Sequence, residues 1–432
     1  MIESDLKLVL MGGMMKPYKD LLDIFAFLRC CLGCKGNMSR VIAGMNWQEL
    51  YSFASKQALL GLCFEGIERL GKEHPEELKQ NPVRRELLMT WMGKAQQIHR
   101  QNMKVNAVAG KLFSMLREDG LRCCILKGQG NALMYPNPYS RTPGDIDVWI
   151  NASRERIMEY AQKKFELGED IRLQHLETSL DGVPVELHFF PCTMNNPIYH
   201  ARLQKWFRRY ADLQCSHIVG LPDGAGDIAI PTTAFNVVYQ LTHLYHHFFD
   251  EGIGMRQIID YFLVVNDFSK NVFLDTDFSN HPVPLSKEGS TFSPSPSSSG
   301  SGDVTAPSRC SEPLRSKDGG PSKVSPNYAG WDRLSIEGDN SAGSTTAVTS
   351  SASTALVVVQ RELKYLGLWK FAGAVMYVLK EVLGLSEDKM IVPVDEKRGR
   401  LLLAEILDGG TSVGISLSIV GLRIRVWGRS IS

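Results

Sequence analysis

The chain has 432 residues, of which 44% are hydrophobic and 22% are charged, as in ordinary globular proteins that fold around buried cores. This length is sufficient for two domains. The 48 basic and 47 acidic residues leave a formal net charge of +1. The overall charge therefore favours neither nucleic acid nor an anionic membrane as a partner. No apolar stretch approaches the length of a membrane span, so we expect no membrane partner.

The cysteines are scattered along the chain, and several of them lie within apolar runs, as Cys63, Cys123 and Cys124 do. This distribution is typical of reduced, partly buried thiols rather than of a disulfide framework, so we predict a cytoplasmic location. Cys31 and Cys34 form a lone C-x-x-C pair, for which free thiols are a simpler interpretation than zinc or redox chemistry. The amino terminus lacks the basic start and the length of a secretory signal.

Residues 1–120 are predicted to form an N-terminal helical region. Asn46 begins a capping-box pattern, and apolar residues recur at helical spacing from Leu50 to Leu70. A longer helix is predicted from Pro82 to Asp119, with Gly120 as its C-terminal cap. Both segments carry an apolar stripe, so we expect them to pack against a core.

Residues 121–230 are predicted to form an α/β core. Leu121 to Leu126 has the pattern of a strand. Ile171 to Leu180 and Val183 to Phe190 are predicted to be two further strands, paired through a two-residue turn at Asp181-Gly182. Such a hairpin brings its two strands side by side in one sheet.

Acidic side chains lie on two of the predicted strands. Asp145 and Asp147 alternate at the start of an apolar strand, so both point to the same face of the sheet. Alternation in a later strand leaves Glu186 and His188 on one face, where they can meet the two aspartates. Neighbouring carboxylates repel unless a cation lies between them, so we predict a magnesium site.

The second half of the chain is predicted to be mainly helical. Residues 231–285 have a helical pattern with a histidine cluster. From 286 to 354 serine, glycine, proline and threonine predominate, and such a segment is predicted to be a disordered insertion because it buries too little apolar surface. Residues 355–410 are again predicted to be helical. Residues 411–432 form a tail without acidic side chains.

Together these motifs resemble the nucleotidyltransferase superfamily with the polymerase beta-type fold, and more closely a bacterial family of nucleotidyltransferases. The segments that carry the resemblance are Leu126–Gly128, Arg141–Ile150, Val185–His188, His243–Asp260 and Leu366–Ala372. The resemblance implies an α+β fold, in which a small mixed sheet is surrounded by N- and C-terminal helices. The predicted disordered insertion lies between the helical regions of the second half of the chain.

The resemblance also implies an activity, namely transfer of a nucleoside monophosphate from a nucleoside triphosphate, with ATP as the expected donor. Two magnesium ions about 3.5–4 Å apart neutralise the phosphates and activate the acceptor hydroxyl in such reactions. Asp145 and Asp147 would bind both ions. Glu186 would complete the shell of one ion or accept the proton of the acceptor.

Three further residues are expected to bind the nucleotide. Gly128 allows backbone N–H groups to approach the phosphates closely. Lys127 and Arg141 are candidate phosphate clamps. The superfamily usually has Gly-Ser where this chain has Lys127-Gly128, without an adjacent hydroxyl. The acceptor is open among a small molecule, a protein side chain and an RNA end, and the oligomeric state is open too.

Each of these residues also has a simpler interpretation. Asp145 and Asp147 could be helix caps or solvated loop groups, and Glu186 could be an exposed strand residue. Lys127 and Arg141 could pair with carboxylates as salt bridges. The whole fold could serve as a non-catalytic binding module, or the same carboxylates could hydrolyse phosphate esters.

Two other patterns have a structural explanation. His243 and His247 are one helical turn apart but lack the adjacent glutamate of a zinc protease motif, so buried or hydrogen-bonding histidines are favoured, as for His188. Arg256 and Asp260 are expected to form an ion pair within one helix, on a segment that the resemblance implies borders the cleft.

The residues that follow Gly410 depart from the family pattern. A reading-frame change near residue 411 would explain this departure, and we state it as a hypothesis.

Overall fold

The N-terminal region consists of packed helices. A computed structural model of the chain describes residues 18–34, 36–250, 252–271 and 345–409. Within these ranges the first helices are α1 (Tyr18–Cys31), α2 (Met38–Gly44), α3 (Trp47–Lys56), α4 (Leu60–Glu73), α5 (Pro75–Gln80) and α6 (Arg85–Glu118). Gly120 follows α6 with φ +76°, as expected of a helix-ending glycine.

The segment from Asn46 to Leu70 contains two helices where we expected one apolar stripe on a single helix. The Asn46 side chain accepts a hydrogen bond from the backbone N–H of Glu49, as predicted for the N-cap. The break occurs at Gln57 and Ala58, and Ala58 has a φ of +57°. The buried Gln57 amide donates to Ile406 O and accepts from Met255 N, so distant elements stabilise the break. The predicted apolar residues of both helices are nevertheless buried.

A five-stranded mixed sheet forms the centre of the protein. Its strands are β1 (Cys123–Leu126), β2 (Ile146–Ile150), β3 (Leu167–Ile171), β4 (His175–Leu180) and β5 (Val183–His188), in the order β1-β2-β5-β4-β3. The β2–β5 pair is parallel and the other pairs are antiparallel. The predicted small mixed sheet is therefore confirmed.

The predicted hairpin is present, with the predicted two-residue turn. Asp181 and Gly182 connect β4 and β5 with φ angles of +51° and +70°, the left-handed conformation that two-residue hairpin turns require. The predicted strand from Ile171 to Leu180 is divided, because residues 172–174 separate β3 from β4. The alternation in β5 is as expected, with Val183, Val185 and Leu187 buried.

Helices cover both faces of this sheet. The short helix α7 (Gly128–Ala132) follows β1, α8 (Arg154–Lys164) follows β2, and α9 (Pro197–Ser216) precedes a small hairpin of β6 (Ile218–Gly220) and β7 (Asp227–Ala229). One face packs against α6 and α8 through residues such as Leu112 and Ile157. On the other face Trp149 stacks on Phe235, with ring centroids 6.2 Å apart.

The C-terminal helices contribute to the same core as Trp149. They are α10 (Thr233–Asp250), α11 (Met255–Asn271), α12 (Thr345–Tyr365), α13 (Trp369–Leu383) and α14 (Glu396–Gly409). The predicted helical regions 231–285 and 355–410 each contain a helix boundary with a glycine of positive φ, Gly252 and Gly367. The predicted tail and most of the predicted insertion lie outside the described residues. Helix α12 begins at Thr345, which lies within the predicted insertion.

Two further properties of the described residues concern helix hydropathy and the cysteines. Every described helix is too short or too polar to cross a membrane. The described cysteines are free thiols, and all except Cys34 are buried. Burial raises the pKa of the Cys34 thiol and, with its neighbour Cys31, that of Cys30 to about 11, as expected of unreactive thiols.

Candidate functional site

Three carboxylates meet where β2 begins. In the parallel pairing of β2 with β5, Asp147 lies directly opposite Glu186. Asp145 immediately precedes β2 and is exposed, whereas the Asp147 side chain is 5% exposed and that of Glu186 is 21% exposed. One oxygen of each carboxylate lies within 4.8 Å of the other two. The structure therefore brings together the three predicted acidic residues, which we call the acidic group.

Two histidines lie against the acidic group. His188 Nε2 is 3.0 Å from Asp147 Oδ1 and 3.1 Å from Glu186 Oε2, so one ring nitrogen contacts two carboxylates. His175 Nδ1 is 3.3 Å from Glu186 Oε2. We did not predict a role for His175. The register of the Asp181-Gly182 turn contained the signal, because a two-residue hairpin pairs His175 with His188.

Lys127 forms a salt bridge with Asp147. Its Nζ lies 3.0 Å from Asp147 Oδ1 and 2.9 Å from His243 Nε2. Burial opposes the charge of the ammonium, but the surrounding carboxylates, Asp147 foremost, raise the pKa of Lys127. Burial and the adjacent ammonium hold the pKa of His243 well below its usual range, so the imidazole is neutral and accepts the hydrogen bond. Lys127 thus pairs with a carboxylate, as the simpler interpretation of this residue expected.

The environment separates the pKa values of the two aspartates. The negative charge of the neighbouring Asp147 raises the pKa of Asp145 to about 6. Burial opposes ionisation of Asp147, but Lys127 and His188 outweigh it and lower its pKa. Burial likewise opposes ionisation of Glu186, and the hydrogen bond from His188 lowers its pKa. These carboxylates concentrate negative charge in a small volume, which is the usual electrostatic setting for a divalent cation.

Arg141 has a protein partner. Its Nε and Nη2 donate to the two oxygens of Asp260 at 2.9 and 2.8 Å, and both side chains are nearly buried. The expected ion pair between Arg256 and Asp260 is therefore wrong. Arg256 instead donates to Thr142 O at 3.1 Å. Helical spacing allowed the pair within one helix, but the planar guanidinium of Arg141 reaches Asp260 from another element and matches the carboxylate with two bonds.

A cavity of about 340 Å³ opens above the acidic group, within the size range of small-molecule sites. Lys127, Gly128 and Arg141 line it together with the three carboxylates, so all six predicted site residues border one space. Part of the segment from His243 to Asp260 also lines the cavity, as the resemblance implied. A Cβ at Gly128 would meet only Asp145 O, at 3.8 Å, so the space beside the Gly128 backbone is open.

A mixed sheet that carries a cluster of carboxylates beside an open cavity is the class of fold and site found in nucleotidyltransferases. Residues 43–278 match the model of a family described as "uncharacterised nucleotidyltransferase". This match spans more than half of the 432 residues, so the chain belongs to that family.

The other comparisons add less. The crystal structure of an antigenic nucleotidyltransferase-like protein from Paracoccidioides brasiliensis is similar to 37% of this chain and 75% of its own, with 16% sequence identity and a TM-score of 0.26. Among curated proteins, none matches this chain.

Proposed function

We propose that the protein is a metal-dependent enzyme that transfers a nucleoside monophosphate from a nucleoside triphosphate, with ATP as the expected donor, to an acceptor hydroxyl. The observation that carries this proposal is the acidic group, in which Asp145, Asp147 and Glu186 each offer an oxygen within 4.8 Å of the others beside an open cavity. Membership of a nucleotidyltransferase family supports the reaction class.

The acidic group fits magnesium in its chemistry. Magnesium prefers carboxylate oxygens, and it is usually held by one or two carboxylates together with substrate phosphates. Asp145 and Asp147 would hold two ions, and Glu186 would complete the shell of one. When bound, such ions neutralise phosphate charge and lower the pKa of the attacking hydroxyl.

We assign the remaining residues to binding and orientation. Lys127 carries a positive charge beside the carboxylates, and we propose that it binds a phosphate oxygen of the donor. Gly128 lacks the side chain that would hinder approach of a phosphate to the backbone. Arg141 adds positive charge to the cavity wall, while its pairing with Asp260 fixes the segment that leads to Asp145.

The experiment that tests this proposal is incubation of the purified protein with labelled nucleoside triphosphates and magnesium, followed by mass analysis of the products. A control for modification of the protein itself is included. We expect pyrophosphate release and a product that carries one nucleoside monophosphate. Asp145→Asn and Glu186→Gln should each lower product formation at least about a hundredfold, since changes even to groups behind metal ligands cost about 10–100-fold.

Asp181→Asn is the matched control, because Asp181 lies in the β4–β5 turn and pairs with the exposed Lys111. Removal of divalent cations with a chelator should abolish the reaction, and added magnesium or manganese should restore it. Release of phosphate instead of pyrophosphate would favour ester hydrolysis. Absence of both products, with no thermal stabilisation by magnesium and ATP, would favour a non-catalytic binding module.

A further inference from the structure

A second group of potential metal ligands lies beside the acidic group. His175 and His188 are paired across β4 and β5, with ring centroids 5.0 Å apart, and Glu186 lies on the same face of β5. One ligand atom from each of the three residues lies within 4.8 Å of the other two. The pairing of the strands, rather than a mobile loop, therefore holds two imidazoles and one carboxylate together.

The hydrogen bonding of His175 is incomplete. Its side chain is 3% exposed, and among the described residues neither ring nitrogen has a hydrogen-bond partner. Nδ1 lies 3.3 Å from Glu186 Oε2, and Nε2 lies 3.8 Å from Glu177 Oε1. Buried polar atoms in folded proteins nearly always have a hydrogen-bond partner, and a binding site for an ion is one explanation for an exception. His175 Nδ1 therefore lies near a carboxylate oxygen with its hydrogen-bonding position unused, and an ion between the two groups could bind both.

The distances within this group suit one ion. His188 Nε2 and His175 Nδ1 lie 3.1 and 3.3 Å from the same oxygen, Glu186 Oε2. Ligand atoms bound to one ion at about 2.0–2.2 Å lie roughly 3.0–3.5 Å apart, so these atoms have the spacing of neighbouring ligands. Binding of an ion would release the proton that His188 Nε2 donates to Glu186, because a ligating nitrogen needs its lone pair. The three residues also line the cavity, which gives an ion a route of entry.

The ligand types point to a different metal from that of the acidic group. Imidazole nitrogen is a good ligand for zinc and related transition metals, whereas magnesium prefers oxygen. Two histidines and one glutamate are also the protein ligands of one class of zinc site, in which a further position is left for water or substrate. Glu186 belongs to both groups, so an ion in one of them changes the ligands available to the other.

We propose that His175, Glu186 and His188 bind a single divalent cation of the zinc class, at a site separate from the acidic group but sharing Glu186 with it. This site concerns the protein without nucleotide and does not depend on nucleotidyl transfer. The test therefore uses metal binding as its readout, and failure of either proposal leaves the other standing.

Zinc is titrated into the untagged, metal-free, full-length chain by calorimetry in the absence of nucleotide. His175→Gln removes one imidazole, and we expect its zinc dissociation constant to rise at least about tenfold relative to the wild type. His217→Gln is the matched control, because His217 contacts Ile230 O on another part of the chain, and zinc binding should be unchanged. Absence of zinc binding, or equal binding by the wild type and His175→Gln, would overturn the proposal.

Asp145→Asn distinguishes the two groups. A larger loss of zinc affinity in Asp145→Asn than in His175→Gln would assign the ion to the acidic group and would also overturn the proposal. If His175→Gln does not fold, as judged by circular dichroism, X-ray absorption of the zinc-loaded wild type replaces it. Two imidazole ligands would support the site, and one or none would refute it.

Discussion

The pair formed by Arg141 and Asp260 allows a quantitative test of the structure. The two side chains are 5% and 6% exposed, and Asp260 accepts two hydrogen bonds from Arg141 and a third, at 2.7 Å, from Tyr135 Oη. Asp260→Asn keeps the size of the side chain but removes its charge. The guanidinium of Arg141 would then remain buried without a counter-charge.

We expect this change to lower the free energy of unfolding by about 3–5 kcal/mol, the usual cost of removing one partner of a buried pair. This cost reflects the unpaired guanidinium rather than the net contribution of the pair. Arg141→Met combined with Asp260→Asn should therefore lower the free energy of unfolding by less than the sum of the two single variants. The three variants form a double-mutant cycle that measures the coupling.

The assay is denaturant unfolding of the full chain, followed by circular dichroism. Asp212→Asn is the control, since Asp212 forms an exposed pair with Arg122, with side-chain exposures of 74% and 52%. Exposed pairs contribute about 0–1 kcal/mol, so this variant should be near wild type. An equally small effect of Asp260→Asn would refute the buried pairing, as would strict additivity in the cycle.

The remaining predictions concern the pH dependence of stability and two glycines of helix α6. Arg141 outweighs the opposing effect of burial and lowers the pKa of Asp260, so its stabilising contribution is present above the unfolded pKa of about 3.9 and is lost as the pH falls toward the folded value. The stability difference between wild type and Asp260→Asn, measured by unfolding at pH 7 and pH 3, should therefore shrink at the lower pH, and a constant difference would contradict the assignment. Within helix α6, Gly93→Ala should stabilise the protein by about 0.5–1 kcal/mol, because a Cβ there meets nothing within 4 Å. Gly110→Ala should destabilise it, because its Cβ would clash with the backbone oxygen of Ala225. Thermal unfolding compares the two variants, and equal shifts would count against this packing.

Local patterns in the sequence predicted much of the fold. The apolar spacing and caps of the N-terminal helices, the Asp181-Gly182 turn and the alternation in β5 depend on neighbours in the chain, so they could be read without a partner. They were sufficient to place Glu186 on the face where it can meet the aspartates, whereas the mixed sheet was expected from the family resemblance. The predicted roles of these carboxylates, and of Lys127, Gly128 and Arg141, stay predictions.

Other features were not predictable, because they depend on residues far apart in the chain. The break in the helical segment at Gln57 is stabilised by backbone groups of Ile406 and Met255. Helix α9 was not predicted as a separate element. It packs through Trp206, whose ring stacks on Phe235 with centroids 4.4 Å apart.

The sequence by itself determined which side chains share a face of each strand, since alternation is a property of the extended backbone. Only the tertiary structure decided their partners. Asp260 could pair with Arg256 by helical spacing, yet it pairs with Arg141, 119 residues away. Lys127 meets His243 across 116 residues. Periodicity cannot specify such contacts, because they depend on how separate elements pack rather than on the repeat within any one of them.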